Sequence, residues 1–135
     1  MSVSGKFVLE KNENFYEHLI ALGIAAERAK QVNGLKPILE IAINGKELIF
    51  TSLSGEFQHK SILILDEEVD ETIAVEYHIK SIARKTDDHT LEIESTGTIA
   101  ERGIRRYEFS DKSLIMTIEN DNKNIPIARR YYSRI

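Results

Sequence analysis

The chain has 135 residues, 41% hydrophobic and 30% charged, with a net charge of −4 at pH 7 and no cysteine. One domain of this size buries a sizeable core without staples. The absence of cysteine excludes disulfides, thiol nucleophiles and Cys-ligated metals, and the acidic balance argues against a nucleic-acid partner, which needs a basic footprint. Residues 1–15 show no basic stretch leading into an apolar one, and no apolar run is long enough to span a bilayer, so a soluble cytoplasmic protein is expected.

Residues 6–10 read as a first strand. An Asn within 11–14 is a candidate helix cap. Phe15, Leu19 and Leu22 then fall at i, i+4 and i+7, on one helical face, and Gly23 closes this helix. Residues 25–32 read as a second short helix, which Asn33-Gly34 stops and Pro37 keeps from resuming. From residue 38 onward the signals are all β. The expected strands are 38–43, 48–53, 57–65, 69–75, 77–85, 90–94, 98–109, 114–119 and 125–134, with Asn44-Gly45 as a hairpin turn. Other turns are marked by Ser54-Gly55, Asp87-Asp88, Thr96-Gly97, Ser110-Asp111 and residues 120–124.

About ten short strands with one inserted helix pair predict a sandwich or a barrel, and ten antiparallel strands in a meander leave no exposed edge if they close. Residues 90–94 and 114–119 alternate: Leu91 and Ile93 oppose Glu92 and Glu94, and Leu114, Met116 and Ile118 share a face. A closed barrel this wide cannot fill itself with side chains and tends to hold a ligand cavity. Prolines number two, repeats and low-complexity linkers are absent, and a single domain over residues 1–135 is expected.

The chain resembles the fatty-acid-binding protein family, which includes the cellular retinoid-binding proteins. The residues that carry the resemblance span nearly the whole length: Gly5-Lys6-Phe7, Asn14-Phe15 with Ala21-Leu22-Gly23, Lys36-Pro37, Ser54 and Phe57, Glu68 with Asp70-Glu71-Thr72 and Ala74, Lys80-Ser81-Ile82, and Arg130-Tyr131-Tyr132-Ser133-Arg134-Ile135. The resemblance implies an all-β fold, a ten-stranded antiparallel up-and-down barrel capped by a helix-turn-helix lid over about residues 14–34. It also implies a carrier rather than an enzyme, a monomer that holds one long-chain fatty acid or similar apolar carboxylate and needs no cofactor. A retinoid carrier, or a structural barrel without a tight ligand, is the alternative. The helix pair carries Glu13, Glu17 and Glu27 against Arg28 and Lys30. It therefore shows no strong basic face, and transient membrane contact through the lid stays open.

In the resembled family two cavity Arg and one Tyr hold the carboxylate. Arg suits this because its planar fork stays charged and matches carboxylate geometry. Arg-Arg-Tyr occurs twice here, at 105–107 and 129–131, and successive strand residues point to opposite faces. Matching the chain end puts Arg130 and Tyr132 inside; the other parity puts Arg129 and Tyr131 there. One match of the earlier strand puts Arg106 in the cavity; a match anchored on Glu108-Phe109 puts Tyr107 there instead. Phe15, Leu19 and Phe57 are candidates for the entrance, and Met116 and Ile118 for the cavity wall, although ordinary core packing explains the same pattern. The loop over 119–125 is two or three residues longer than the family's usual turn. His18, His59, His78 and His89 are widely spaced, form no metal-ligand pattern and read as surface or portal residues. Glycine-rich phosphate loops and a Gly-x-Ser-x-Gly elbow are missing too, and nothing argues for catalysis.

Overall fold

Among the described residues, ten strands run antiparallel in one up-and-down sheet, with two helices inserted after the first. The computed structural model describes residues 4–55, 57–73, 77–97 and 102–135, with side chains at all of these except 57, 72, 73 and 77. The elements are β1 (Gly5–Glu13), α1 (Phe15–Ala21), α2 (Ala26–Gly34), β2 (Ile38–Asn44), β3 (Glu47–Ser54), β4 (Phe57–Ile64) and β5 (Glu68–Ile73), then β6 (Tyr77–Asp87), β7 (Thr90–Gly97), β8 (Gly103–Phe109), β9 (Ser113–Asn120) and β10 (Ala128–Arg134). Strand β1 pairs with both β2 and β10, which curls the sheet into a nearly closed barrel. Its two ends, β4 and β5, face each other across the one interruption in the ladder among the described residues.

Several boundaries move from those expected. Strand β1 runs three residues beyond residue 10, through a bulge between Leu9 and Lys11 that bends it under the helices. Asn14 is no side-chain cap. It sits at φ 59°, a left-handed conformation that Asn tolerates better than most residues, and its amide reaches the Ile127 carbonyl at 3.5 Å. Helix α1 ends in a Schellman motif: Ile24 N–H donates to Leu19 O at 3.1 Å and Gly23 N–H to Ile20 O at 3.0 Å, with Gly23 at φ 96°. The first hairpin loop is Gly45-Lys46 rather than Asn44-Gly45, because Asn44 still pairs with Glu47; glycine supplies the positive φ at the first loop position. Helix α2 extends through Asn33-Gly34. Of the expected strands 69–75 and 98–109, residues 74, 75 and 98–101 lie outside the described residues.

The alternation sorts the interior into two apolar bodies. One fills the end of the barrel carrying the β2–β3, β6–β7 and β8–β9 turns. Its members include Phe7, Ile41, Leu48, Leu63, Leu91, Ile93 and Leu114, each 1% exposed or less. The other lies under the helices at the opposite end and joins Phe15, Leu19, Ile24 and Ala29 to Ala128 of β10. Ile118 packs against both. The long β9–β10 loop is held by Asx turns at Asn120 and Asn122 and by Ile125, which is 6% exposed. His18 of α1 tethers it, with Nδ1 2.8 Å from the Pro126 carbonyl. His18 is thus a buried residue and not a surface one. Burial pushes its pKa down, against the pull of that hydrogen bond. The ring is therefore neutral near pH 7, and the contact to a carbonyl requires the proton on Nδ1.

Candidate ligand cavity

Between the two apolar bodies lies a cavity of about 200 Å³. One wall is Arg130 and Tyr132 of β10 with Met116 of β9. Leu39 of β2 and Phe50 of β3 continue it as apolar surface, Phe50 against Tyr107 of β8 with ring centroids 5.2 Å apart. The rest of the wall is polar: Ser52 of β3, His59 and Ser61 of β4, Glu71 of β5 and Arg105 of β8.

The parity of β10 is settled by its partners. Arg129 points out to Glu13, with Nη1 3.5 Å from Oε1, and the Tyr131 hydroxyl donates to the same carboxylate at 3.1 Å. Arg130 and Tyr132 therefore face in. The Arg130 guanidinium is shaped by three neighbours. Its Nε donates to Asn12 Oδ1 at 2.9 Å; its Cζ stands 4.2 Å above the Phe15 ring of α1 and 5.8 Å from the Tyr132 ring, cation–π distances. Asn12 in turn donates to the Asn33 carbonyl of α2 at 3.3 Å, so Arg130 is connected to both helices of the lid.

On β8 the expectation for Arg106 is corrected. Arg106 lies on the outer face, where Nε donates to Glu92 at 3.0 Å and Nη1 to Glu119 at 3.2 Å, and its side chain is 34% exposed. The inward parity belongs to Arg105, Tyr107 and Phe109. Tyr107 and Phe109 are 4% and 3% exposed, and two buried aromatics outweigh any single polar residue in choosing the face, since a one-residue slip would turn every side chain around. Arg106→Ala is accordingly expected to cost less than about 1 kcal/mol of stability, the range of surface ion pairs, and to leave the affinity for a fluorescent fatty-acid probe unchanged. A clear loss of probe binding would contradict the outward placement.

Arg105 meets a carboxylate already in the barrel. Its Nη2 donates to Glu71 Oε1 at 2.6 Å, and the two side chains are 19% and 5% exposed. Ser81 Oγ donates to the same Oε1 at 2.8 Å and lies 2.8 Å from Ser95 Oγ. Burial opposes ionisation of Glu71, but Arg105, with hydrogen bonds from Ser81 and Ser61, outweighs it and holds the carboxyl below its ordinary range. Tyr107 is pushed up to about 12 chiefly by burial, and burial raises Tyr132 against the pull of Arg130. Both phenols are therefore hydrogen-bond donors at neutral pH.

Of the remaining candidates, Met116 lines the cavity. Ile118 packs between the two apolar bodies. Phe15 and Leu19 belong to the lid core, at 6% and 8% exposed, Phe15 also forming the platform under Arg130. The side chain of Phe57 lies outside the described residues. Glu71, Arg105 and Asn12 carried no expected role in the cavity. The signal for two of them was in the alternation: Glu71 shares parity with Val69, and Arg105 with Tyr107 and Phe109, so opposite charges fall on inward positions of two strands. Asn12 lies past the residues that read as strand, in the stretch read only as a candidate helix cap, and nothing local marked it for the cavity. Groups of metal-ligating side chains do not occur among the described residues, and no helix among them is long and apolar enough to cross a membrane.

A ten-stranded up-and-down barrel with a two-helix lid and an interior Arg–Tyr pair defines a small carrier of apolar ligands. No family model matches the chain. It is 26% identical over 129 residues to a fatty acid-binding protein of Lepidoglyphus destructor, covering 95% of this chain and 98% of that one. It is 31% identical over 77 residues, 57% of this chain and 69% of the other, to a probable fatty acid-binding protein of Anopheles gambiae. The structure of a fatty acid-binding protein from the brain of Drosophila melanogaster superimposes with a TM-score of 0.85 at 28% identity, over 98% of this chain and 99% of that one. The chain belongs to the fatty-acid-binding protein family.

Proposed function

We propose that this protein binds one long-chain fatty acid inside the barrel and carries it as a cytoplasmic monomer. In this reading residues 1–135 form a single container with the helices as its lid, and Arg130 with the Tyr132 hydroxyl holds the carboxylate. The observation that carries this reading is the difference between the two inward arginines. Arg105 is neutralised by Glu71 at 2.6 Å. Arg130 has no acidic partner among the described residues: it meets the neutral Asn12 and two aromatic rings. A buried carboxylate needs a charged or hydrogen-bonding partner, and Arg130 has that capacity to offer. Carboxylate binding by Arg130 leaves the Arg105–Glu71 pair intact, whereas binding at Arg105 would set two carboxylates against one cation. The names of the relatives point to the same class of ligand.

The test is mass spectrometry of an organic extract of the purified protein, with displacement of a fluorescent fatty-acid probe as a companion titration. A stoichiometric fatty acid that competes with the probe at one site is the expected result. An empty barrel that ignores the probe would remove the fatty-acid reading and leave the fold standing.

A further inference from the structure

The cavity has a second chemical feature, opposite its Arg–Tyr wall. Counting round the barrel, β10 lies three strands from β3 and five from β5, so Ser52, Ser61 and Glu71 face Arg130 and Tyr132 across the space. On this far side the polar groups cluster: His59 Nε2 is 3.2 Å from Ser61 Oγ, Ser61 and Glu71 line the same cavity, and Glu71 Oε1 takes both Ser81 and Arg105. A carboxylate offers about four acceptor sites, and the two hydrogen bonds from Ser81 and Arg105 both fall on Oε1 of this group, which lines the cavity.

An unsubstituted alkyl chain cannot answer this wall. Laid against Ser52, His59, Ser61 and Glu71, it strips water from hydroxyls, a ring and a buried carboxylate without replacing the lost hydrogen bonds, which is unfavourable for each group. A chain bearing a hydroxyl at the right distance from its carboxylate replaces them, and a hydrogen bond to a charged acceptor is stronger than one between neutral groups. We propose that the cavity prefers a long-chain carboxylate carrying a hydroxyl on its chain, with the carboxylate at Arg130 and Tyr132 and the hydroxyl at the Ser52–Ser61–Glu71 wall. The proposal rests on the fatty-acid reading above and narrows its ligand class.

The experiment measures probe displacement by octadecanoate and by a series of its positional monohydroxy derivatives, on the wild-type protein and on Ser52→Ala/Ser61→Ala. Both serines are only partly buried, and the variant's fold is checked by circular dichroism. The expected result is one hydroxylated isomer that binds at least about tenfold more tightly than octadecanoate, the scale of one hydrogen bond to a charged group. In the variant that ratio falls, because two of the wall's hydrogen-bonding hydroxyls are removed and octadecanoate no longer strips water from them. If every hydroxylated isomer binds more weakly than octadecanoate to the wild type, the polar wall only closes the gap between β4 and β5, and the proposal is overturned while the fatty-acid reading stands. If neither class displaces the probe, the fatty-acid reading falls and the proposal with it.

Discussion

Arg130→Ala is expected to weaken binding of octadecanoate by roughly 10- to 150-fold, the equivalent of about 1.5–3 kcal/mol for a hydrogen bond to a charged group, and to change binding of its methyl ester by much less. Only the acid uses the charge; the ester shares the tail, whose burial contributes about 0.8 kcal/mol per methylene in either case. Calorimetric titration of both ligands against both proteins separates the two contributions. Equal losses would show that Arg130 acts through packing, by way of its contact with Phe15, and would remove it as the carboxylate partner. The same geometry limits what the ligand-free protein gains from losing this cation. A partly buried charge without a counter-ion is costly, so Arg130→Leu would on that ground stabilise the empty barrel. In the structure the guanidinium keeps the Asn12 bond and the Phe15 platform, and both would be forfeited, which reduces the expected gain.

The barrel was legible in the chain because strands advertise themselves by period and turns by residue type. The alternation of Leu91 and Ile93 with Glu92 and Glu94, and of Leu114, Met116 and Ile118 with their neighbours, is local information. The helix stop at Gly23 follows from the same kind of signal, since glycine accepts a φ of 96° that other residues resist. The doublets were less legible. An Arg-Arg pair has no preferred parity of its own, and the face it takes is dictated by whatever strand-mates are largest and most apolar. Tyr107 and Phe109 make that choice on β8. A reading anchored on those aromatics finds Arg105, whereas one anchored on the match running from Arg106 into β9 does not. What the chain could not reveal was the pairing of Arg105 with Glu71. The two residues are 34 apart in sequence and sit three strands apart in the sheet, a proximity that only the curvature of the closed barrel creates. The helix cap failed for a related reason: the bulge in β1 delivers Asn14 to α1 in a left-handed conformation, which turns its amide toward the β9–β10 loop.

Glu71→Leu is expected to destabilise the empty protein by about 3–5 kcal/mol, because it strands the Arg105 charge in the interior. Arg105→Leu is expected to cost a similar amount by stranding the carboxylate. The double substitution removes both charges and fills the space with apolar side chains, so it should recover most of the loss or exceed wild-type stability. Urea unfolding of the four proteins gives the coupling energy, and additive losses in the double variant would mean that the pair is not a unit. The dependence on pH has a defined sign. Glu71 titrates below its ordinary 4.5 in the folded protein, so unfolding raises its proton affinity. Its contribution is fully present above about pH 4.5 and is lost as pH falls through the lower folded value. Wild type should therefore lose stability on acidification from pH 5 to pH 3 more steeply than Glu71→Gln, whose side chain does not titrate. Parallel acid curves for the two proteins would place the acid sensitivity in other carboxylates and show that the Arg105–Glu71 pair does not supply the pH dependence expected of it.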